Sequence, residues 1–175
     1  MKALYIMLCC FLSVVCSAQK TPEELARKAF AACLTKKEKV FMNLYPKKEV
    51  QEAFFQSVDV KKQFPKEVTK QVYPKGAEGA RFGYALFPRA IKEFGINPKD
   101  IVFSKCETVE NDIEIKKAGK KAGTIYNKII SLYFTSAGKQ YAFVVPNAIV
   151  FRGRWYLSDR VVSIHPLNEN GVVID

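Results

Sequence analysis

An α+β fold, helices first and an antiparallel sheet after, is predicted from three features of the 175-residue sequence. Helix-start boxes and apolar residues spaced three and four apart fill the stretch from about residue 21 to 65. From Ile101 the chain turns to β-branched and aromatic runs. Those runs are separated by short turns, and strands joined by tight turns pair antiparallel. Helices that precede strands, rather than alternate with them, mark the α+β class.

The first eighteen residues read as a secretory signal peptide. Met1-Lys2 is a short positive start, Ala3 to Cys16 is apolar apart from Ser13, and Cys16-Ser17-Ala18 places small residues before a polar stretch that begins at Gln19. The apolar run is shorter than the roughly 20 residues a spanning helix needs. An uncleaved anchor is the alternative. Lipid attachment at Cys16 fits less well, because Val15 stands where a lipobox wants a small residue. Cleavage after Ala18 predicts a periplasmic or secreted chain, residues 19–175, with no membrane span. That length is one domain, able to bury about two-thirds of its unfolded surface.

Thr21-Pro22-Glu23-Glu24 combines an N-cap, a proline at the first helical position and a capping box, and Leu25, Ala29, Ala32 and Cys33 then share one face. Thr35-Lys36-Lys37-Glu38 repeats the box and predicts a second short helix, with Val40, Phe41 and Leu44 inward and a stop near Pro46. A third helix is predicted over Lys48 to Phe64, with Val50, Phe54 and Val58 buried and Pro65 ending it. Residues 66–73 allow another turn or two. Residues 74–83, with Pro74, Gly76, Gly79 and Gly83, read as a loop. A short helix from Pro88 to Phe94 is closed by Gly95, and Asn97 to Asp100 is a turn.

Strands are predicted at Ile101 to Cys106, Thr124 to Thr135, Tyr141 to Phe151 and Arg154 to Ile164. In the second, Ile130, Leu132 and Phe134 share one side, and Ile129, Ser131 and Tyr133 the other. Ser136 to Lys139 turns the chain, Pro146 marks a bulge, and Arg152-Gly153 is a two-residue hairpin turn. Val150-Phe151-Arg152-Gly153-Arg154-Trp155-Tyr156-Leu157-Ser158-Asp159 resembles the penultimate hairpin of small exported members of the NTF2-like (cystatin-like cone) superfamily. Phe41-Met42-Asn43-Leu44-Tyr45-Pro46 resembles the end of their early helices. The resemblance implies N-terminal helices packed on a curved antiparallel sheet, with a pocket between them. It implies no particular reaction, since fold does not choose among the functions a superfamily hosts. It also admits a homodimer through the outer sheet face.

The chain carries +11, or about +10 once Lys2 is removed. Export and the scatter of the lysines argue against nucleic acid. The densest cluster, Lys116 to Gly123, reads as a solvated loop with attraction to anionic lipid or polysaccharide as its functional alternative. Cys33 and Cys106, left after cleavage, either form a single bridge or are buried thiols. His165, the only histidine, stands beside Pro166 and suggests a strand-end surface residue. Asp159 is the one weak catalytic candidate. Strand alternation places it with Trp155 and Leu157, and a carboxylate in an apolar pocket has a raised pKa suited to a general base. Glu107 and Tyr133 could reach a pocket by the same logic. Tyr133, Trp155 and Asp159 are the predicted binding residues. No motif implies a metal or a cofactor. The expected role is non-catalytic binding of a small molecule or of an envelope or protein partner. An isomerase- or dehydratase-type enzyme is the alternative.

Overall fold

The computed structural model describes the backbone of residues 19–57, 66–117, 120–125, 127–158 and 162–174, and the side chains of 19–54, 78–112, 127–158 and 162–174. The signal-peptide reading of 1–18, Val58, Phe64 and Asp159 all lie outside the described residues. The described part is an α+β domain: helices α1 Pro22–Leu34, α2 Glu38–Met42, α3 Lys48–Ser57 and α4 Lys66–Glu93, then strands β1 Val102–Glu110, β2 Ile113–Lys117, β3 Lys120–Ile125, β4 Lys128–Ser136, β5 Lys139–Phe151, β6 Arg154–Leu157 and β7 Ser163–Leu167. None of the described helices is long and apolar enough to cross a membrane.

Helix α1 starts as its capping residues dictate. The Glu24 backbone N–H donates to Thr21 Oγ1 at 3.1 Å, and Glu24 Oε2 accepts from the Lys20 N–H at 2.8 Å. The second box does not cap α2. Thr35 instead closes α1, its hydroxyl donating to Ala31 O at 2.7 Å, and Lys36 enters the left-handed region at φ 54°. Chain reversal at that point takes Thr35 out of reach of the next helix, whose N-cap is Lys37 with no side-chain bond.

The predicted loop at 74–83 is helical, within the 28 residues of α4. Composition suggested a break, but spacing decides otherwise. Ala80, Gly83, Tyr84, Phe87 and Ile91 fall on one face at helical intervals, and Ala80, Gly83 and Phe87 are buried. The small residues at 80 and 83 keep that face narrow where it meets the α1 and α2 layer. Helix α4 ends in a Schellman motif, as Gly95 predicted: Gly95 sits at φ 67°, with Gly95 N–H to Lys92 O and Ile96 N–H to Ile91 O.

The sheet is open and antiparallel, in the order β1-β4-β5, with β6 and β7 sharing the far side of β5. The single strand expected from Arg154 to Ile164 is therefore two. Leu157 pairs with Ala148 and Ser163 with Val144. Across the interruption the core-facing residues change from odd (Trp155, Leu157) to even (Val162, Ile164), so alternation cannot be carried through 159. The strand expected from Thr124 to Thr135 also divides, at buried Asn127, whose carbonyl accepts from the Asn111 N–H at 2.9 Å. The alternation of β4 is as predicted, with Ile130, Leu132 and Phe134 buried and Tyr133 half-buried on the other face. The ladder bulges at β5 around Pro146, where Lys128 pairs with Ala148 but Ile130 with Val145.

Both predicted hairpin turns have two residues in the left-handed region, Ala137-Gly138 and Arg152-Gly153, the type I′ form that matches strand twist. The first is clamped to the turn at 97–100. Ser136 Oγ donates to Asp100 Oδ1 at 2.6 Å and accepts from the Asn97 N–H at 2.8 Å.

The space between helices and sheet is occupied by aromatic side chains. Phe30, 1% exposed, lies 4.9 to 5.6 Å by ring centroid from Phe87, Phe103, Phe134 and Phe143. Tyr141 stacks on Phe134 and donates its hydroxyl to Phe94 O at 2.9 Å.

Candidate functional site

Helix α3 packs on α4 and also reaches the β5–β6 hairpin. Val50, Ala53 and Phe54 lie three and four residues apart on one face of it, and Phe54 is 5% exposed. The helix meets the β5–β6 hairpin through Phe54. Ala148 and Leu157 pair on the core face of the sheet, so Ile149, Tyr156, Phe151 and Arg154 share the opposite face. Phe54 meets Phe151 edge-on at 6.0 Å there. The hairpin is thus held from both sides. On the strand side, Trp155 N–H donates to Gln19 O at 2.8 Å and Leu157 N–H to Leu44 O at 3.0 Å.

Between α3 and the hairpin turn opens a cleft of about 350 Å³, lined by Glu49, Val50, Ala53, Phe151, Arg152, Arg154 and Tyr156. That volume is at the lower end of small-ligand sites. The type I′ turn puts Arg152 and Arg154 on either side of Gly153. The Arg152 guanidinium stands 5.0 Å from the Phe151 ring centroid. Among the described residues neither arginine has a carboxylate partner. Two guanidinium forks without a carboxylate partner among the described residues, beside a largely apolar floor that Glu49 borders, suit a planar anion with an apolar body.

Of the predicted binding residues, Tyr133 and Trp155 are not brought together, and Asp159 lies outside the described residues. Tyr133 is on the outer face of β4 and Trp155 packs against the core on the inner face of β6. Tyr133 Oη donates to Glu107 Oε2 at 2.9 Å, and Lys105 Nζ donates to Glu107 Oε1 at 2.7 Å, with the ammonium 4.5 Å from the Tyr133 ring centroid. Lys105 first, and Tyr133 second, hold the Glu107 carboxyl below its ordinary range, the opposite of what a pocket base requires. Burial, and then Glu107, push the Tyr133 hydroxyl up. His165 lies within β7, not at a frayed end, with Nε2 at 2.8 Å from Ser163 Oγ. Cys33 and Cys106 are both free, so the possible bridge is not made. Burial pushes the Cys33 thiol up to about 12 and raises Cys106 as well. Among the described residues no three His, Cys, Asp or Glu are grouped to hold a metal.

Glu49, Val50, Ala53, Arg152, Arg154 and Tyr156 were not among the predicted site residues. The signal for two of them, Arg152 and Arg154, was present in the Arg-Gly-Arg turn. What sequence alone could not supply was the position of α3 across it.

The fold so defined is an α+β domain with an open five-stranded antiparallel sheet. No family model matches the chain, and no curated protein or solved structure matches it.

Proposed function

We propose that this chain is an exported, non-catalytic binding domain of NTF2-like type that takes a small anionic molecule with an apolar body. The observation that carries the reading is the cleft of about 350 Å³ in which Arg152 and Arg154, without a carboxylate partner among the described residues, stand beside Phe151, Tyr156, Val50 and Ala53, with Glu49 at its edge. The NTF2-like assignment is supported by the helices-first order and by the bulges in β1 and β5, which bend a sheet. Export is supported by the leader grammar of residues 1–18. Placing the ligand at the rim rather than between helices and sheet follows from the rings of Phe30, Phe87, Phe103, Phe134 and Phe143 that occupy the interior.

The test is a fluorescence titration with 2-naphthoate, an aromatic carboxylate. Saturable binding is expected. Arg152→Gln with Arg154→Gln should weaken it about tenfold, as the loss of charge-assisted hydrogen bonds at a half-open site requires. A double variant that folds normally and binds as tightly as the parent overturns the reading.

A further inference from the structure

Within the stretch from Lys116 to Gly123, residues 116–117 and 120–123 lie in strands rather than a loop. Ile113–Lys117 and Lys120–Ile125 pair as a two-stranded ribbon. Its register continues that of the sheet. Glu110 pairs with Lys128, and the ladder resumes with Ile113 opposite Ile125. Strands β1 and β2 are therefore one side of a long hairpin, and β3 and β4 the other. Lys128 is the last described residue on this side that pairs with β5, and among the described residues β2 and β3 pair only with each other. The ribbon is an arm of roughly 17 Å at the rise of a strand.

The arm carries its charge at the far end. Lys116 stands opposite Lys121, and Lys117 opposite Lys120. Successive register positions fall on opposite faces, so each face of the end holds one lysine pair. Three of the eleven net positive charges lie on these thirteen residues, Glu114 included. Like charges directly opposite each other weaken a sheet, and a lone two-stranded ribbon is marginal already. The densest charge is placed where it costs the fold most. Solubility does not require it, since eight net positive charges remain elsewhere.

We propose that the end of the β2–β3 arm is a docking surface for an anionic phospholipid bilayer, met end-on through Lys116, Lys117, Lys120 and Lys121. A planar surface is reached by both faces of the ribbon at once. A linear polyanion lying along the arm would need charge along its length, where the sequence has Ile113, Ile115, Thr124 and Ile125. The proposal does not rest on the cleft.

The test is co-sedimentation of the full chain with vesicles of equal parts phosphatidylglycerol and phosphatidylcholine. Phosphatidylcholine vesicles alone serve as the control for residues 1–18. Binding to the anionic vesicles is expected at low salt and should fall steeply by about 0.15 M. Each lysine near such a surface contributes roughly a fivefold factor. Lys116→Gln with Lys121→Gln and Lys117→Gln with Lys120→Gln should therefore each weaken binding about 30-fold, and equally, because an end-on contact uses both faces. Lys36→Gln with Lys99→Gln, away from the arm, should change it less than about twofold on the same scale. Retention of binding in the quadruple arm variant, equal binding to neutral vesicles, or binding to inorganic polyphosphate but not to vesicles overturns the proposal.

Discussion

Replacing Phe30 by alanine tests how the domain is held together. The ring is 1% exposed and makes four ring contacts at 4.9 to 5.6 Å, three to the sheet through Phe103, Phe134 and Phe143 and one to α4 through Phe87. Truncating a buried phenylalanine costs about 3–5 kcal/mol in lost transfer energy and residual cavity. Ring pairs add about 0.5–1.5 kcal/mol each beyond area, and here the surrounding rings are held by two layers and cannot collapse freely, so the upper end, about 5 kcal/mol, is expected. A domain of this size has about 5–15 kcal/mol in total, so Phe30→Ala removes a third or more of it. With a urea m-value of about 2 kcal/mol/M the midpoint should fall by about 2.5 M. Phe30→Leu, which refills most of the volume, should cost about 1–2 kcal/mol. The assay is urea unfolding followed by circular dichroism, with m compared between variants. A loss below about 1.5 kcal/mol for Phe30→Ala at unchanged m would show that these rings do not form one packed layer.

Three further outcomes follow from particular residues. Gly153→Ala and Gly138→Ala should each cost roughly 1–2 kcal/mol by urea unfolding, because both glycines hold left-handed φ values with open space where a Cβ would stand. Cys33, with a thiol pushed up to about 12 by burial, should resist iodoacetamide at pH 8 in the native protein and react promptly in urea; prompt native labelling would contradict its burial. Glu107 should titrate below the ordinary carboxylate range by NMR, and Lys105→Gln should raise it more than Tyr133→Phe does, following the order of their effects. Since folding lowers that pKa, Glu107 contributes stability above the unfolded carboxylate value, and the contribution is lost as pH falls through the folded one.

Much of this architecture was legible residue by residue. Thr21 and Glu24 announced α1, Gly95 its counterpart at the end of α4, and Gly138 and Gly153 the two hairpin turns, because each acts within a few residues of chain. Burial alternation in β4 was legible for the same reason. The failures have a common cause. At 74–83 the glycines and Pro74 read as breakers, yet the period of Ala80, Gly83, Phe87 and Ile91 against a packed layer outweighs local propensity. Thr35 had a capping residue's sequence context but a C-cap's conformation. The lysine-rich stretch looked like a loop because Lys116 to Gly123 shows no apolar alternation, although β2 and β3 pair there. The cleft needed contact across about a hundred residues, from Val50 to Phe151 and Arg152, and no local pattern carries that information.

The cleft between α3 and the β5–β6 turn is the proposed binding site of this protein. Backbone amide NMR during titration with 2-naphthoate tests it most directly. Shifts confined to residues 49–54 and 151–156 are expected, saturating together, with the midpoint moved about tenfold to higher ligand concentration by Arg152→Gln with Arg154→Gln. Shifts centred instead on Tyr133, Glu107 and His165, or on the aromatic interior around Phe30, would contradict it.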